Sequence, residues 1–194
     1  MSSHSLVVPA PSVTWRIVPQ RTPHVIRPCP RCDGPRAFAS SDRFRVNASG
    51  RRLDVWLIYR CLVCDFIWNL TVVERTTPEA IGATRLDAFH GNDPHAAWWC
   101  AFDATLLKRA GARLETSTPV RVERDALPAG HATVRFALPF PVQIRLDRLL
   151  AQELGVSRST LPGLVDAARA LRRPVFDGQI VRLASASQAP VTGA

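Results

Sequence analysis

Hydrophobic and polar positions in the first half of the chain follow the pattern of half-buried β-strands. Residues 54–60 are rich in β-branched and aromatic side chains, and residues 66–74 place apolar side chains at every second position. Residues 44–48 lead into the turn sequence Asn-Ala-Ser-Gly, which predicts that the chain returns as a hairpin. We therefore predict an antiparallel β domain over residues 15–75, preceded by a flexible arm over residues 1–14.

The capping pattern of residues 76–112 predicts two helices. Thr77 and Asp93 can each cap a helix, because each is followed by a proline at the first helical position. The second helix should end at Gly111, after two basic residues that suit a helix C-terminus. We expect its buried face to consist of Trp98, Trp99, Phe102, Leu106 and Leu107.

Residues 113–183 have the pattern of strands followed by two short helices and a closing strand or hairpin. Leucines recur at helical spacing from Leu146 onward, Gly155 can end that helix, and Ser157 can cap the next one. The small and polar residues 184–194 predict a disordered tail. The predicted fold class is therefore α+β, with an antiparallel β domain, a central helical pair and a small C-terminal α/β motif.

Charge adds a class of partner to this picture. The 194-residue chain carries 25 Lys or Arg against 16 Asp or Glu, a formal net charge of +9. Such an excess indicates an anionic partner such as nucleic acid. Unbroken apolar runs such as residues 55–59 are far shorter than the ~20 residues of a membrane-spanning helix. Since the first twelve residues also lack a secretory-signal pattern, we expect a cytoplasmic protein with no membrane partner.

Four of the five cysteines form two Cys-x-x-Cys pairs, Cys29 with Cys32 and Cys61 with Cys64. This spacing is typical of a tetrahedral zinc site with four thiolate ligands. An aspartate follows each pair, and aspartate tolerates the left-handed backbone that a tight ligand turn often needs. Because the linker between the pairs is strand-like and contains a hairpin turn, the segment is predicted to be a zinc ribbon.

Four thiolates close the coordination shell of zinc and leave no position for water, so the predicted site is structural and not catalytic. One alternative is a pair of disulfides, which a cytoplasmic compartment disfavours. Another is a thioredoxin-like redox pair, which needs one such motif in a βαβ setting. The fifth cysteine, Cys100, is expected to be a buried structural thiol.

Residues 144–165 predict two helices joined by a short turn, and they resemble two nucleic-acid-binding modules. Arg145-Leu146-Asp147 and Ser157-Arg158-Ser159 are similar to the αL-type RNA-binding motif of a small-subunit ribosomal protein and of many pseudouridine synthases. In that motif two helices precede a β-hairpin. The sequence Gly-Val-Ser-Arg at residues 155–158 also resembles the turn of a DNA-binding helix-turn-helix. A purely structural pair of helices is the remaining interpretation.

The residues that follow favour the RNA-binding motif. Asp177-Gly178 can turn a hairpin between residues 174–176 and 179–183, which a helix-turn-helix does not require. Pro162 departs from both patterns, because it removes a backbone donor from the second helix. The phosphate contacts are predicted to come from arginines and serines of this segment. These residues are Arg145, Arg148, Ser157, Arg158, Ser159, Arg172 and Arg173.

A wider set of positions carries a resemblance across the chain. These are Cys29-Pro30, Cys32, residues 44–48, residues 53–59, Cys61, Cys64, Trp68-Asn69 and Asn92-Asp93. On them the chain resembles an uncharacterised bacterial family, a domain of unknown function with a cysteine-rich ribbon, helices and an αL-like end. The similarity is strongest over residues 15–110. It implies no activity, because the family has no established function.

Together these observations predict a non-enzymatic protein that holds one structural Zn²⁺ and binds structured RNA or a ribonucleoprotein. A DNA-binding helix-turn-helix regulator is the first alternative, and it predicts a preference for duplex DNA. An enzyme of unknown reaction with a structural zinc is the second alternative. The chain has no glycine-rich phosphate loop, nucleophile elbow or paired-histidine metal motif. The pattern predicts no particular oligomeric state.

Overall fold

The structure is a computed structural model that describes residues 12–115, 118–124, 126–127, 132–166 and 168–184. Contacts divide the chain into two compact units. Pro19–Pro119 form one of them, called here the central unit. The other, called the terminal unit, combines the described residues up to Val18 with those from Val120 onward.

Strands outnumber helices among the described residues, and the mixed α+β class is confirmed. The strands are β1 (Ser12–Pro19), β2 (Val25–Cys29), β3 (Gly34–Ser49), β4 (Arg52–Cys61), β5 (Ile67–Thr76), β6 (Arg113–Leu114), β7 (Val120–Glu123), β8 (Ala132–Ala137) and β9 (Ile180–Leu183). The helices are α1 (Pro78–Ile81), α2 (Ala83–His90), α3 (Pro94–Phe102), α4 (Ala104–Arg109) and α5 (Leu146–Leu154). Short 3₁₀ turns lie at Leu161–Gly163 and Ala168–Ala170. No helix in the described part of the chain is long and apolar enough to cross a membrane.

The central unit is built on a five-stranded antiparallel sheet in the order β5-β4-β3-β2-β6. β3 and β4 form the predicted hairpin, and their pairing extends to Ser49 opposite Arg52. The turn therefore consists of Gly50 and Arg51, and Gly50 has a φ of 61° that glycine adopts without strain. Apolar residues at every second position of β4 are buried. They are Leu53, Val55, Leu57, Tyr59 and Cys61.

The helical segment packs into the core of the same unit. Thr77 and Asp93 cap helices as predicted, since their side chains accept hydrogen bonds from the N–H groups of Ala80 and Ala96. Buried side chains from all four helices join the apolar face of the sheet. These are Ile81, Phe89, Ala97, Ala101 and Leu107.

The single helix predicted to end at Gly111 is wrong, because the structure has two helices there. α3 ends at Phe102, and α4 begins after Asp103. The Asp103 carboxylate accepts hydrogen bonds from two N–H groups of α4, both at 2.9 Å, and so starts a new helix. Trp99, which was predicted to be buried, is 48% exposed. Gly82, with a φ of 84°, likewise separates α1 from α2.

A hydrogen bond from the turn between α2 and α3 reaches β3 at the point where its pairing with β4 is irregular. The register of β3 against β4 shifts between Ser40 and Phe44, and Asp42 within this stretch has a left-handed φ of 54°. The Oδ1 atom of Asn92 accepts the Phe44 N–H at 2.7 Å. Asn92 itself has a φ of 52°, which asparagine tolerates better than most residues. The bond therefore joins the helical segment to the sheet at a bulge.

The terminal unit contains a four-stranded sheet in the order β7-β1-β8-β9. β1 pairs with β8 in parallel, and β9 pairs with β8 antiparallel. The rings of Trp15 and Phe136 meet edge to face, with centroids 5.9 Å apart. α5 adds three buried leucines and ends, as predicted, at Gly155 in the left-handed conformation. These leucines are Leu146, Leu149 and Leu150.

The boundaries of the two units differ from those of the predicted segments. Residues 15–75 and 76–112 were predicted as separate pieces, but most of both lie in the central unit. The exception is β1, which pairs with β8 across more than a hundred residues. Trp15 and Ile17 on β1 are completely buried. The β1–β8 pairing was not predicted, because a parallel pairing between distant strands leaves no local signal in the sequence.

The described residues overlap the predicted arm at residues 12–14 and the predicted tail at residue 184. Residues 12–14 of the predicted arm belong to β1, and residues 1–11 lie outside the described residues. At the other end, the Ala184 N–H donates a hydrogen bond to the Leu164 carbonyl oxygen at 2.8 Å. Residues 185–194 of the predicted tail lie outside the described residues.

The segment after α5 does not form the predicted second helix and hairpin. Ser157 is followed by an irregular turn and a 3₁₀ turn at Leu161–Gly163, where Pro162 provides no backbone donor for an α-helix. Pro174 and Val175 pair with Arg145 and Ile144 before α5, and β9 pairs with β8 instead. The predicted turn is present, with Gly178 at a φ of 76°, but it does not join two strands of one hairpin.

Replacing Asn92 by glycine should destabilise the central unit. Glycine keeps the left-handed φ but removes the acceptor of the Phe44 N–H, and losing one partner of such a bond costs about 1–3 kcal/mol. Urea unfolding followed by circular dichroism measures the change. Asn92→Asp is the matched control, because it keeps an oxygen acceptor and should unfold close to the wild type. Equal stability of the two variants would contradict a role for this bond.

Candidate metal centre and arginine pocket

Two tight turns bring the paired cysteines together at one end of the central sheet. Cys29 is the last residue of β2, and Cys61 is the last residue of β4. Both strands run antiparallel to β3, which lies between them, so their carboxyl ends lie at the same end of the sheet. The turn after β2 is closed by a hydrogen bond from the Cys32 N–H to the Cys29 carbonyl oxygen at 3.2 Å. The turn after β4 has a bond from the Asp65 N–H to the Cys61 carbonyl oxygen at 3.1 Å.

The aspartate after each pair adopts the predicted backbone conformation. Asp33 has a φ of 47° and Asp65 has a φ of 56°. Few residue types other than glycine enter this region readily, and aspartate is one of them. The two cysteine turns therefore share the same left-handed backbone conformation at the residue after the second cysteine.

The four sulfur atoms lie at the spacing that one metal ion requires. The Sγ atoms of Cys29 and Cys64 are 3.5 Å apart, those of Cys32 and Cys61 are 3.9 Å apart, and all four lie within 4.8 Å of one another. Ligands at ~2.3 Å from a tetrahedral ion are about 3.8 Å from each other. A disulfide needs about 2.05 Å, and the cysteines are free. The cluster can therefore hold a metal ion.

The thiols of the cluster differ in pKa, because their hydrogen bonds differ. Burial raises the pKa of the Cys61 thiol, but the N–H groups of Val63 and Cys64 and the neighbouring thiols lower it to about 7. Hydrogen bonding to the other sulfurs, first of all to Cys64, raises the pKa of Cys32 to about 12. Without a cation the cluster therefore shares protons, which a metal ion must displace when it binds.

Two arginines lie close to the cluster. The Arg27 guanidinium lies 4.1 Å from the centroid of the Trp68 ring. Burial lowers the pKa of Arg27, and the charge of Cys29 raises it. Arg36 donates from Nη2 to the Cys32 carbonyl oxygen at 3.0 Å. These cations can offset part of the negative charge that four thiolates carry around a divalent ion.

The fifth cysteine, Cys100, lies on α3 outside the cluster. It packs against the hydrophobic core of the central unit. Burial raises the pKa of its thiol to about 11, so the thiol is protonated and weakly nucleophilic at neutral pH. Its position agrees with the prediction of a structural thiol.

A second candidate site is a cavity of about 800 Å³ in the terminal unit, called here the arginine pocket. Its lining brings together four residues of the predicted nucleic-acid-binding set: Arg145, Arg158, Ser159 and Arg172. Arg169 also lines the pocket and was not predicted. It lies in the 3₁₀ turn Ala168–Ala170, shortly before Arg172.

An ion pair orders one wall of the arginine pocket. The Asp147 carboxylate accepts hydrogen bonds from Nε of Arg145 at 3.0 Å and from Nη2 at 2.5 Å. Burial raises the pKa of Asp147, but the Arg145 bonds, the Arg148 N–H and the charge of Arg158 lower it below its usual range. Asp147 is therefore ionised at neutral pH and orients the Arg145 guanidinium.

The other guanidinium groups of the arginine pocket are available to a ligand. Among the residues that the structure describes, Arg158, Arg169 and Arg172 make no ion pair with a carboxylate. All three are exposed. The pocket therefore presents an excess of positive charge, which suits an anion with several oxygen acceptors.

The remaining residues of the predicted set lie beside the arginine pocket and not in its described lining. Arg148, Ser157 and Arg173 are all exposed. The Ser157 Oγ atom lies 2.7 Å from the Ser159 Oγ atom, so it supports the turn between them. The Arg173 carbonyl oxygen accepts the Leu146 N–H at 3.0 Å, so its backbone ties two parts of the terminal unit together.

A known family model matches residues 46–172 of this chain, and its description is protein of unknown function (DUF1062). The match covers more than half of the 194 residues. The chain belongs to the DUF1062 family. This confirms the expected membership in a family of unknown function.

The DUF1062 match contains one cysteine pair and the arginine pocket. It includes Cys61 and Cys64 and ends at Arg172, but it begins after Cys29 and Cys32. The match lies within the predicted resemblance, which was strongest over residues 15–110 and looser over the rest of the chain. No curated protein matches the chain. No solved structure matches it either.

Substitution of a cluster cysteine should abolish stoichiometric metal binding. We expect about one metal ion per chain in the purified protein, and Cys32→Ser or Cys64→Ser should reduce this content to near zero because the site needs four thiolates. Elemental analysis after gel filtration measures the content. Cys100→Ser is the matched control, and it should keep the full content. Loss of the metal from the control, or its retention in Cys64→Ser, would contradict the assignment.

Proposed function

We propose that this DUF1062 protein is a non-enzymatic zinc protein of the bacterial cytoplasm that binds structured RNA or a ribonucleoprotein. The observation that carries the proposal is the convergence of Arg145, Arg158, Arg169 and Arg172 on one cavity. These arginines come from three separate stretches of the chain, so no single local pattern accounts for their meeting.

Zinc is the metal that the four-cysteine cluster fits best. Thiolate-only sites with tetrahedral spacing select zinc or iron–sulfur clusters, and two Cys-x-x-Cys turns are typical of structural zinc. The donor set is closed by Cys29, Cys32, Cys61 and Cys64. A closed site supplies folding free energy and no position for a reacting water, which supports a structural and non-enzymatic role. Free thiols are also typical of a reducing compartment.

Phosphate is the ligand chemistry that the arginine pocket favours. A guanidinium group presents paired N–H donors that match two phosphate oxygens. Three such groups lack acidic partners within the described part of the chain, and the whole chain has a net charge of +9. RNA offers phosphates together with a shape that a cavity on an irregular surface can recognise.

The DNA-binding alternative has less support. A helix-turn-helix places an α-helix in the major groove. Among the described residues after Gly155, the chain forms a turn and a 3₁₀ segment at Leu161–Gly163. Since Pro162 opposes an α-helix there, the segment has no element of the length that a groove requires. The αL motif also has a second helix at this position, which the described segment does not form. The RNA proposal therefore rests on the arginine pocket and not on the resemblance to that motif.

The binding proposal is tested by titrating zinc-loaded protein into a structured RNA hairpin and a matched DNA duplex at several salt concentrations. We expect tighter binding to RNA and a steep fall of affinity with salt. The double substitution of Arg158 and Arg172 by alanine should reduce the slope of log affinity against log salt by about two, since two phosphate contacts are lost. Preference for the duplex would favour the DNA-binding alternative and contradict the proposal.

The matched control for these substitutions is a second pair of arginines in the terminal unit. Arg135 and Arg182 lie exposed on β8 and β9 and are not among the described residues that line the arginine pocket. Their replacement by alanine changes the net charge by the same amount. Equal loss of affinity in both double variants would show that binding follows overall charge and not the pocket.

A further inference from the structure

We propose that the arginine pocket recognises the terminal phosphate monoester of an RNA strand and not an internal phosphodiester. This inference rests on the proposed RNA-binding function and names the part of the RNA that the pocket takes. Three features of the pocket support it: its charge, its size and the orientation of Arg145 by Asp147.

The charge of the pocket exceeds what one internal phosphate needs. Arg145 is paired with Asp147, and Arg158, Arg169 and Arg172 add three positive charges with no carboxylate partner among the described residues. An internal phosphodiester carries one negative charge and has two oxygens free to accept hydrogen bonds. A terminal monoester carries about −1.5 to −2 at neutral pH and has three such oxygens. Convergence of several guanidinium groups on one cavity therefore matches the monoester better.

The size of the pocket suits a single terminal nucleotide. A cavity of about 800 Å³ falls within the range of small-ligand sites, roughly 300–1,000 Å³. Pro162 and Leu171 add apolar surface beside the guanidinium groups, against which the sugar or base of a terminal nucleotide can pack.

One arginine of the pocket, Arg145, is oriented before a ligand arrives. Asp147 accepts two hydrogen bonds from Arg145, which leaves the Nη1 group of that guanidinium for a ligand. The Asp147 N–H donates to the Leu171 carbonyl oxygen at 2.8 Å, so the start of α5 is tied to the segment that carries Arg169 and Arg172. Asp147 is therefore a positioning residue, and a preorganised anion site needs such support.

The test compares one RNA hairpin carrying a 5′-phosphate, a 3′-phosphate or only hydroxyl groups at its ends, each with the same internal fluorophore. We expect one phosphorylated hairpin to bind the zinc-loaded full chain about tenfold or more tightly than the hydroxyl form, the effect of one charge-assisted hydrogen bond. The better of the two ends identifies which terminus is read. The advantage should shrink below pH 6, because the monoester loses its second charge with a pKa of about 6.

Variants and a competitor connect this preference to the pocket. Arg158→Ala and Arg172→Ala should each remove the advantage of the phosphorylated end, whereas the Arg135→Ala and Arg182→Ala pair should keep it. Asp147→Asn should weaken the advantage while the Arg158 and Arg172 contacts to RNA remain. Inorganic phosphate should weaken the binding of the phosphorylated hairpin more than that of the hydroxyl form, and so reduce the difference between them. Far-ultraviolet circular dichroism verifies that each variant is folded.

The outcomes separate this inference from the proposed function. Equal affinity for all three hairpins, with that affinity lowered by Arg158→Ala and Arg172→Ala, would overturn the terminal-phosphate inference and leave RNA binding standing. Absence of binding to every hairpin would overturn the proposed function itself. An advantage of the phosphorylated end that survives in both pocket variants would place its recognition elsewhere and would also overturn the inference.

Discussion

Four cysteine sulfurs at the ends of β2 and β4 constrain the central unit, because two separate turns must present them to one point. Their mutual distances, all within 4.8 Å, match a tetrahedral ion and not a pair of disulfides. Without a cation, contacts among the four thiols contribute little to the stability of the central unit, since sulfur is a weak hydrogen-bond donor and acceptor. A bound ion would turn the same crowding into a link between strands that β3 separates. The left-handed Asp33 and Asp65 directly follow the two cysteine pairs that such an ion would join.

The arginine pocket depends on a different kind of constraint. The backbone at the start of α5 bonds to residues 171–173, and this pairing brings two of the three stretches that line the cavity together. Asp147 uses its buried carboxylate to orient Arg145. The remaining guanidinium groups have no carboxylate partner within the described residues, so a bound anion would offset their positive charge.

Local signals in the sequence predicted much of the metal centre and less of the rest. The cysteine spacing, the two aspartates and the capping residues Thr77 and Asp93 each act within a few residues, so pattern alone identifies them. The β1–β8 pairing was missed because a parallel contact between distant strands has no local signature. The break before α4 depends on the Asp103 side chain, which outweighs continuous helical periodicity. Arg169 joins the pocket through the long-range packing of 3₁₀ turns.

X-ray absorption at the zinc edge of the purified full chain tests the central claim most directly. The account predicts one zinc environment with four sulfur scatterers at about 2.3 Å and no nitrogen or oxygen in the first shell. Such a spectrum would establish that both turns contribute their cysteines to one ion. A shell that contains nitrogen or oxygen ligands, or a protein that retains no zinc when it is purified without chelators, would contradict the account.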